Sequence, residues 1–384
     1  MKTINNLLLP GIAALAAVLA IGLAGTAFAF HSGGVAHCDG CHSMHNSPEN
    51  PVSGTPNSQL LKGTDASSTC LNCHAGSAGS YHIMTTDGGS FSPGGDFFWL
   101  TQSYTNTVRN NPVTSDPDNM GHNVVALDYG LSVDGTNPSA PGGTYISSNL
   151  GCTSCHDPHG QVQGGTANGQ LPISVSGSYG EVPPAGTIAG NYRLLGDDQY
   201  KNIASAAPVA VTSGFGESDI SHVAYGQGMS EWCASCHTQY IGDPNKHPAG
   251  NLETLGATIS GNYNAYVSTG DFLGGAGATA YLQFVPFERQ ETDKATLLTA
   301  VTDTQGPTAA DNVMCLTCHR AHASAFDNIG RWNLKAELLE EGYPSDQNLL
   351  DMGAVANADY YGRDIATDFG EYQRSFCNKC HVKD

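Results

Sequence analysis

The chain has 384 residues and a formal net charge of −20, with 15 Lys and Arg against 35 Asp and Glu. That balance excludes nucleic-acid binding, which needs clustered cations against phosphates, and suits long-range attraction of cations or basic proteins as well as plain solubility. With 47 Gly, 19 Pro and only 13% charged residues, the chain buries little apolar side-chain area per residue, so another apolar body has to supply the core.

In chain order, the first element reads as a processing signal over 1–29. Lys2 is its sole basic residue, Leu7 to Gly25 is apolar and small, and Ala27-Phe28-Ala29 fits a small-x-small cleavage site. The mature chain is then a single unit over 30–384; the alternative is an uncleaved N-terminal anchor. No Cys lies near the cleavage site to carry a lipid, and no second apolar run of about 18 residues follows.

His31 and His37 precede the first of six repeated motifs, Cys38-Asp-Gly-Cys41-His42, which continues to His45. The second is Cys70-Leu-Asn-Cys73-His74, followed by His82 and His122. The third, Cys152-Thr-Ser-Cys155-His156, continues to His159. After His222 comes the fourth, Cys233-Ala-Ser-Cys236-His237, and then His247. The fifth, Cys315-Leu-Thr-Cys318-His319, continues to His322, and the sixth, Cys377-Asn-Lys-Cys380-His381, closes the chain. All 12 cysteines are used.

Two thiols at this spacing reach the two vinyl groups of one porphyrin, and the next residue aims its imidazole at the iron. Zinc ribbons do not require a His after each pair. Disulfide scaffolds are short and have no reason to keep this spacing. Thiol oxidoreductases carry one active pair. The motifs therefore predict six covalently bound haem c groups, with His42, His74, His156, His237, His319 and His381 as proximal ligands. Attachment of this kind is completed outside the bacterial cytoplasm, which agrees with export.

Of 15 histidines, nine remain for six distal positions. This surplus favours bis-His iron throughout over ligation by Met44, Met84, Met120, Met229, Met314 or Met352. An iron with two imidazoles has no position open to substrate. The odd-numbered motifs share the pattern Cys-His-x-x-His, giving His45, His159 and His322. Residues three apart on one helical turn face the same way, so each of these ligates another, closely packed haem. His82, His122, His247 and His31 are further distal candidates, and His37 and His222 are read as bystanders.

The motifs are strung through the whole chain with no haem-free domain. Gly/Ser/Thr-rich loops such as 136–148 and 160–190 fill the gaps. Helical periodicity is best over Arg289 to Val301 and Trp332 to Glu341, with a short helical turn at each motif. The expected fold is mostly coil with short α-helices and few strands, its core formed by stacked haems and aromatic residues against them. Asp116-Pro-Asp118 and Asp197-Asp198 lack cation-loop spacing and read as solvated turns.

The stretches Phe30-His-Ser-Gly-Gly-Val-Ala36, His42-Ser-Met-His-Asn46, Cys155-His-Asp-Pro-His-Gly160, Ala224-Tyr-Gly-Gln-Gly-Met-Ser-Glu-Trp-Cys233, His247-Pro-Ala-Gly-Asn251, Cys318-His-Arg-Ala-His-Ala-Ser324 and Cys377-Asn-Lys-Cys-His381 resemble the OmcS-type hexahaem outer-surface cytochromes. Departures concentrate in 161–222 and 288–312. Members of that family polymerise into conductive filaments in metal-reducing bacteria. The resemblance implies a head-to-tail polymer with a continuous haem chain, in which His45 binds the iron held by His319 of the next subunit. Each odd motif's extra His then serves the haem two motifs back, His159 the iron of His42 and His322 that of His156. His45 has no such haem in its own chain, and a heterologous contact of this kind propagates unless it closes a ring.

The expected function is extracellular electron transfer by a cell-surface or secreted filament subunit, taking electrons from donors such as other cytochromes and delivering them to extracellular acceptors. The alternatives are a soluble periplasmic electron shuttle and, with less support, a multihaem reductase. A reductase needs an open haem position, and no motif carries a Lys in place of its His.

Overall fold

The computed structural model describes residues 38–43, 59–77, 81–90, 92–103, 105–108, 111–158, 194–198, 200–212, 217–242, 248–266, 275–339, 363, 368–369 and 373–381. Of the singled-out residues, His31, His37, His45, His159, His247, Met44 and Met352 lie outside them, as do the leader and loop 160–190. Among the described residues no helix is long and apolar enough to cross a membrane.

The described chain is mostly coil. Its helices are α1 (Cys38–Cys41), α2 (Ala66–His74), α3 (Cys152–Cys155), α4 (Met229–Cys233), α5 (Gly256–Ala265), α6 (Lys294–Ala300) and α7 (Cys315–Cys318). The sixth motif forms a 3-10 turn, Phe376–Lys379. Among the described residues, strands come only in pairs: β1 (Ala75–Gly76) parallel to β2 (Met84–Thr85), β3 (Thr105–Val108) antiparallel to β4 (Asn111–Thr114), and β5 (Ala210–Thr212) antiparallel to β6 (Val223–Tyr225). No sheet exceeds two strands among the described residues. Two-stranded ribbons are marginal alone, so packing elsewhere holds them.

The two helices expected outside the motifs fare differently. Arg289 to Val301 is helical only as α6, because Asp293 caps that helix through Ala295 N–H (3.0 Å), while Arg289 N–H pairs with Tyr225 O beside β6 (2.9 Å). Of the helix expected over Trp332 to Glu341, the described residues 332–338 are not helical: Asn333 closes a local turn onto Lys335 N–H (2.9 Å), and Leu338 bridges to Arg374. An Asn side chain that satisfies nearby backbone competes with helix formation. Helix α5 had no sequence signal; Asn262 and Tyr263 dock it, through Cys380 O (3.0 Å) and Val285 O (2.8 Å).

Among the described residues, side chains form three apolar clusters. The largest runs from Phe97, Phe98 and Trp99 to Phe284, Trp332, Phe369 and Phe376. Phe284 and Phe376 stack at 5.1 Å, and Trp332 meets Phe376 edge-on at 5.4 Å. A second gathers Leu195, Tyr225, Met229, Met314 and Leu316, with Trp232 against it. In the third, α6 covers the β5–β6 ribbon through Leu297, Val211 and Ala224. Met120, Met229 and Met314 are core side chains.

Candidate haem-binding sites

Each motif's cysteine pair lies on a short turn, and consecutive motifs are neighbours in space. Helix α2 of the second motif packs on α3 of the third, and α4 of the fourth on α7 of the fifth. Cys70 donates a hydrogen bond to Cys152, which raises the Cys70 pKa and lowers that of Cys152; Cys233 and Cys315 repeat the arrangement. Burial and then the nearby Cys236 push Cys155 up to about 12, linking the third motif to the fourth. Burial and then Cys377 and Cys380 do the same for Cys318, linking the fifth to the sixth. Cys41 is among the neighbours acting on Cys70, which joins the first motif to the second.

The two packed motif pairs share one device. Ser67 Oγ accepts from Cys152 N–H (3.0 Å), and Ser230 Oγ accepts from Cys315 N–H (3.2 Å). Each serine sits three residues before the first Cys of its own even-numbered motif. On the odd-numbered side, Ser154 Oγ and Thr317 Oγ accept from the N–H groups of Gly151 and Met314, closing the motif turn (both 3.1 Å).

A second device marks the odd-numbered motifs. The residue after the motif His donates its N–H to a distant carbonyl: Ser43 to Leu60 (2.6 Å), Asp157 to Leu194 (2.8 Å) and Arg320 to Ile329 (2.8 Å). The second Cys accepts in return, Cys41 from Lys62 (2.9 Å), Cys155 from Gly196 (2.8 Å) and Cys318 from Arg331 (2.8 Å). Leu60, Leu194 and Ile329 all have positive φ, 54°, 54° and 57°. That region is strained for a side chain with a Cβ, most of all a β-branched one, so the bracing is imposed by its partners. The residue before the strained position turns its carbonyl to the motif His: His42 Nδ1 meets Gln59 O at 2.8 Å and His319 Nδ1 meets Asn328 O at 2.7 Å.

The same backbone hold recurs elsewhere. Nδ1 of His74 meets Tyr81 O (2.8 Å), that of His82 meets Ser77 O (2.5 Å), that of His122 meets Ala321 O (2.8 Å), and that of His237 meets Pro141 O (2.7 Å). An Nδ1–H that donates to a carbonyl leaves Nε2 as the lone-pair nitrogen, the form a metal ligand takes. Loop 136–148, expected only to fill a gap, wraps the fourth motif. A Cβ on Gly143 would lie 1.7 Å from Cys236 O, and Gly142 has φ +68° beside the Tyr240 ring.

Among the described residues, two pairs of imidazoles face each other. His156 and His322 have ring centroids 6.3 Å apart, and His122 and His237 are at 5.9 Å. Metal–nitrogen bonds to imidazole are about 2.0–2.1 Å, so two rings on opposite sides of one metal have centroids roughly 6–6.5 Å apart. The donor sets therefore fit haem: a thiol pair, a tautomer-fixed imidazole and, at two motifs, a second imidazole at the right distance. Gly94 backs the His322 ring, where a Cβ would come within 2.8 Å of Nδ1, and Phe97 lies at 5.0 Å. Burial, then His237, lowers His122 to about 4 and keeps it neutral.

The pairing of His122 with His237 had no sequence signal, because a loop His carries no record of its partner. The bracing residues Leu60, Leu194 and Ile329 were missed too. Their only trace is an apolar pair, Leu60-Leu61, Leu194-Leu195 or Ile329-Gly330, at variable distance after an odd motif. His222 is buried and stacks on Tyr281 at 3.6 Å; burial, then Arg289, lowers it to about 3. Among the described residues, no cluster of His, Cys, Asp and Glu outside the motifs is grouped to hold a free metal ion. Asp116 and Asp118 cap local turns, with Asp118 N–H on Asp116 Oδ1 (3.1 Å) and Gly135 N–H on Asp118 Oδ2 (3.0 Å).

No protein-family model matches the chain. It is 44% identical, over 93% of its length and 95% of the relative's, to the C-type cytochrome OmcS of Geobacter sulfurreducens. Two solved filament structures resemble it over 92% of this chain and 100% of theirs. They are the OmcS nanowires (TM-score 0.75, 42% identity) and the outer membrane cytochrome S filament (TM-score 0.77, 41% identity), both from Geobacter sulfurreducens. With identity spread over nearly the whole length of both chains, this protein belongs to the OmcS family of c-type cytochromes.

Proposed function

We propose that the protein is the subunit of an extracellular head-to-tail filament that conducts electrons through six bis-histidine haems. The observation that carries the reading is the facing of His322 with His156 across separate motifs at 6.3 Å. Its support is the unbroken spatial order of the motifs, and the filament form of the relatives.

When bound, haem supplies the exchange of one electron between Fe(II) and Fe(III), with no bond made on a substrate. The chain's residues attach, orient and enclose it. The cysteines of the six motifs would form the thioethers, and His42, His74, His156, His237, His319 and His381 would bind the irons proximally. His322 would complete the iron of His156, His122 that of His237, and His159 that of His42. His45 would complete the iron of His319 in the neighbouring subunit. The irons of His74 and His381 would draw on His31, His82 and His247. Backbone carbonyls on Nδ1 fix the tautomer and aim Nε2.

Two imidazoles on each iron leave no position for a substrate, so the protein is an electron carrier and not a reductase. Electron paramagnetic resonance of the oxidised protein tests this. Wholly low-spin haem with no carbon monoxide uptake on reduction is expected, and a high-spin fraction in the intact protein would sink it.

A further inference from the structure

The odd-numbered motifs are copies of one bracing, so their differences can be compared position by position. The residue that donates its N–H to the second Cys is Lys62 at the first motif, Gly196 at the third and Arg331 at the fifth. The residue after the motif His is Ser43, Asp157 and Arg320 in turn. The third motif thus carries one buried acid, Asp157, fully enclosed, and no cation at the two positions. The fifth carries two buried guanidiniums, Arg320 at 3% exposure and Arg331 at 0%.

Arg331 is directed into the fifth motif itself. Its Nε–H donates to Leu316 O at 2.6 Å, inside the Cys315–Cys318 turn, and Nη1 donates to Gln283 O at 3.1 Å. Its acidic neighbour Glu217 is also enclosed, with Oε2 at 3.7 Å from Nη1. That separation is an ion-pair distance, and both side chains are enclosed, so Glu217 offsets part of the charge. Arginine keeps its proton in any protein setting, and charges separated from water act over longer distances than exposed ones. Arg320 lies between His319 and His322 in sequence, and its Nη1 points to Pro93 O at 3.5 Å.

We propose that the Arg331–Glu217 pair sets the reduction potential of the haem on the fifth motif, with Arg331 raising it and Glu217 moderating the rise. A fixed positive charge favours the iron state with one more electron, Fe(II) over Fe(III). The inference rests on the proposed haem chain. There the fifth haem takes His45 from the next subunit, so the site of raised potential lies beside the subunit junction.

A spectroelectrochemical titration of the intact hexahaem protein, followed at the visible haem bands, decides it. In Arg331→Gln, one haem's share of the absorbance change is expected to move to lower potential. In Glu217→Gln, one share is expected to move to higher potential, and Arg331→Lys should stay near the parent. A merely structural pair gives no reason for opposite signs. Shifts of the same sign, or none with all six haems attached and low-spin, would overturn the proposal. If Arg331→Gln does not accumulate, the sign for Glu217→Gln decides alone: upward supports, downward or unmoved overturns. High-spin haem in the parent protein would instead count against the ligation reading, which the same spectra reveal separately.

Discussion

Ser67 Oγ accepts the backbone N–H of Cys152 at 3.0 Å, so the helix of the second motif holds the first residue of the third. Ser230 does the same for Cys315 at 3.2 Å. Both serines are buried, and each satisfies an N–H at a helix start that has no partner within the helix. Ser67→Ala and Ser230→Ala should each cost about 1 kcal/mol. The two sites share no partner, so the losses should add in the double variant. Chemical denaturation followed by Soret circular dichroism measures this; a double loss no larger than a single one would show that the two motif pairs do not dock independently.

The facing imidazoles give a spectroscopic outcome. His322→Ala should open one iron in six, that of His156, and His122→Ala should open the iron of His237. Each variant is expected to gain a high-spin signal and carbon monoxide uptake at a single haem. An unchanged low-spin spectrum in either would remove that histidine from the ligand set.

Much of this site was legible in the residue pattern, and the reason is covalent. Cys-x-x-Cys-His encodes attachment and proximal ligation within five residues, and Cys-His-x-x-His singles out His322, whose ring faces His156 of another motif at 6.3 Å. The fold class was legible as well, because a composition rich in Gly and Pro favours coil over long elements, although side chains alone already gather a buried aromatic cluster from Phe97 to Phe376. What the pattern hides are long-range backbone contacts. Nothing in Pro141 or Asn328 announces a carbonyl aimed at His237 or His319, and a left-handed leucine such as Leu60 looks like any other. Helix α5 was invisible for the same reason: its partners Cys380 and Val285 are far away in sequence.

Two glycines should respond oppositely to alanine. At Gly143 a Cβ would lie 1.7 Å from Cys236 O, whereas at Gly261, inside α5, it would meet nothing within 4 Å. Gly143→Ala should destabilise by roughly 2–3 kcal/mol and draw the Pro141 carbonyl away from His237. Gly261→Ala should stabilise by about 0.5–1 kcal/mol through helix propensity and lower unfolded-state entropy. Thermal unfolding of both variants checks the contrast, and a tolerated Gly143→Ala would mean that loop 136–148 does not clasp the fourth motif.

Glu288 gives a pH dependence. Burial pushes its pKa from 4.5 to about 8, against two opposing hydrogen bonds from Gly228 and Met229 N–H. The folded state therefore holds a proton that the unfolded state has released over that interval. Its contribution to stability is full below about pH 4.5 and is lost as pH rises through about 8. Glu288→Gln cannot titrate, so unfolding free energies of parent and variant should diverge in the variant's favour from pH 5 to pH 9. A constant difference across that range would show that Glu288 titrates normally.

The most direct measurement is a cryo-EM reconstruction of the purified full-length protein, with the ligands of every iron assigned. The expected result is a head-to-tail filament in which each iron carries two imidazoles and the iron of His319 receives His45 from the adjoining subunit. Monomeric particles with His45 free, or any iron lacking a second imidazole, would contradict it.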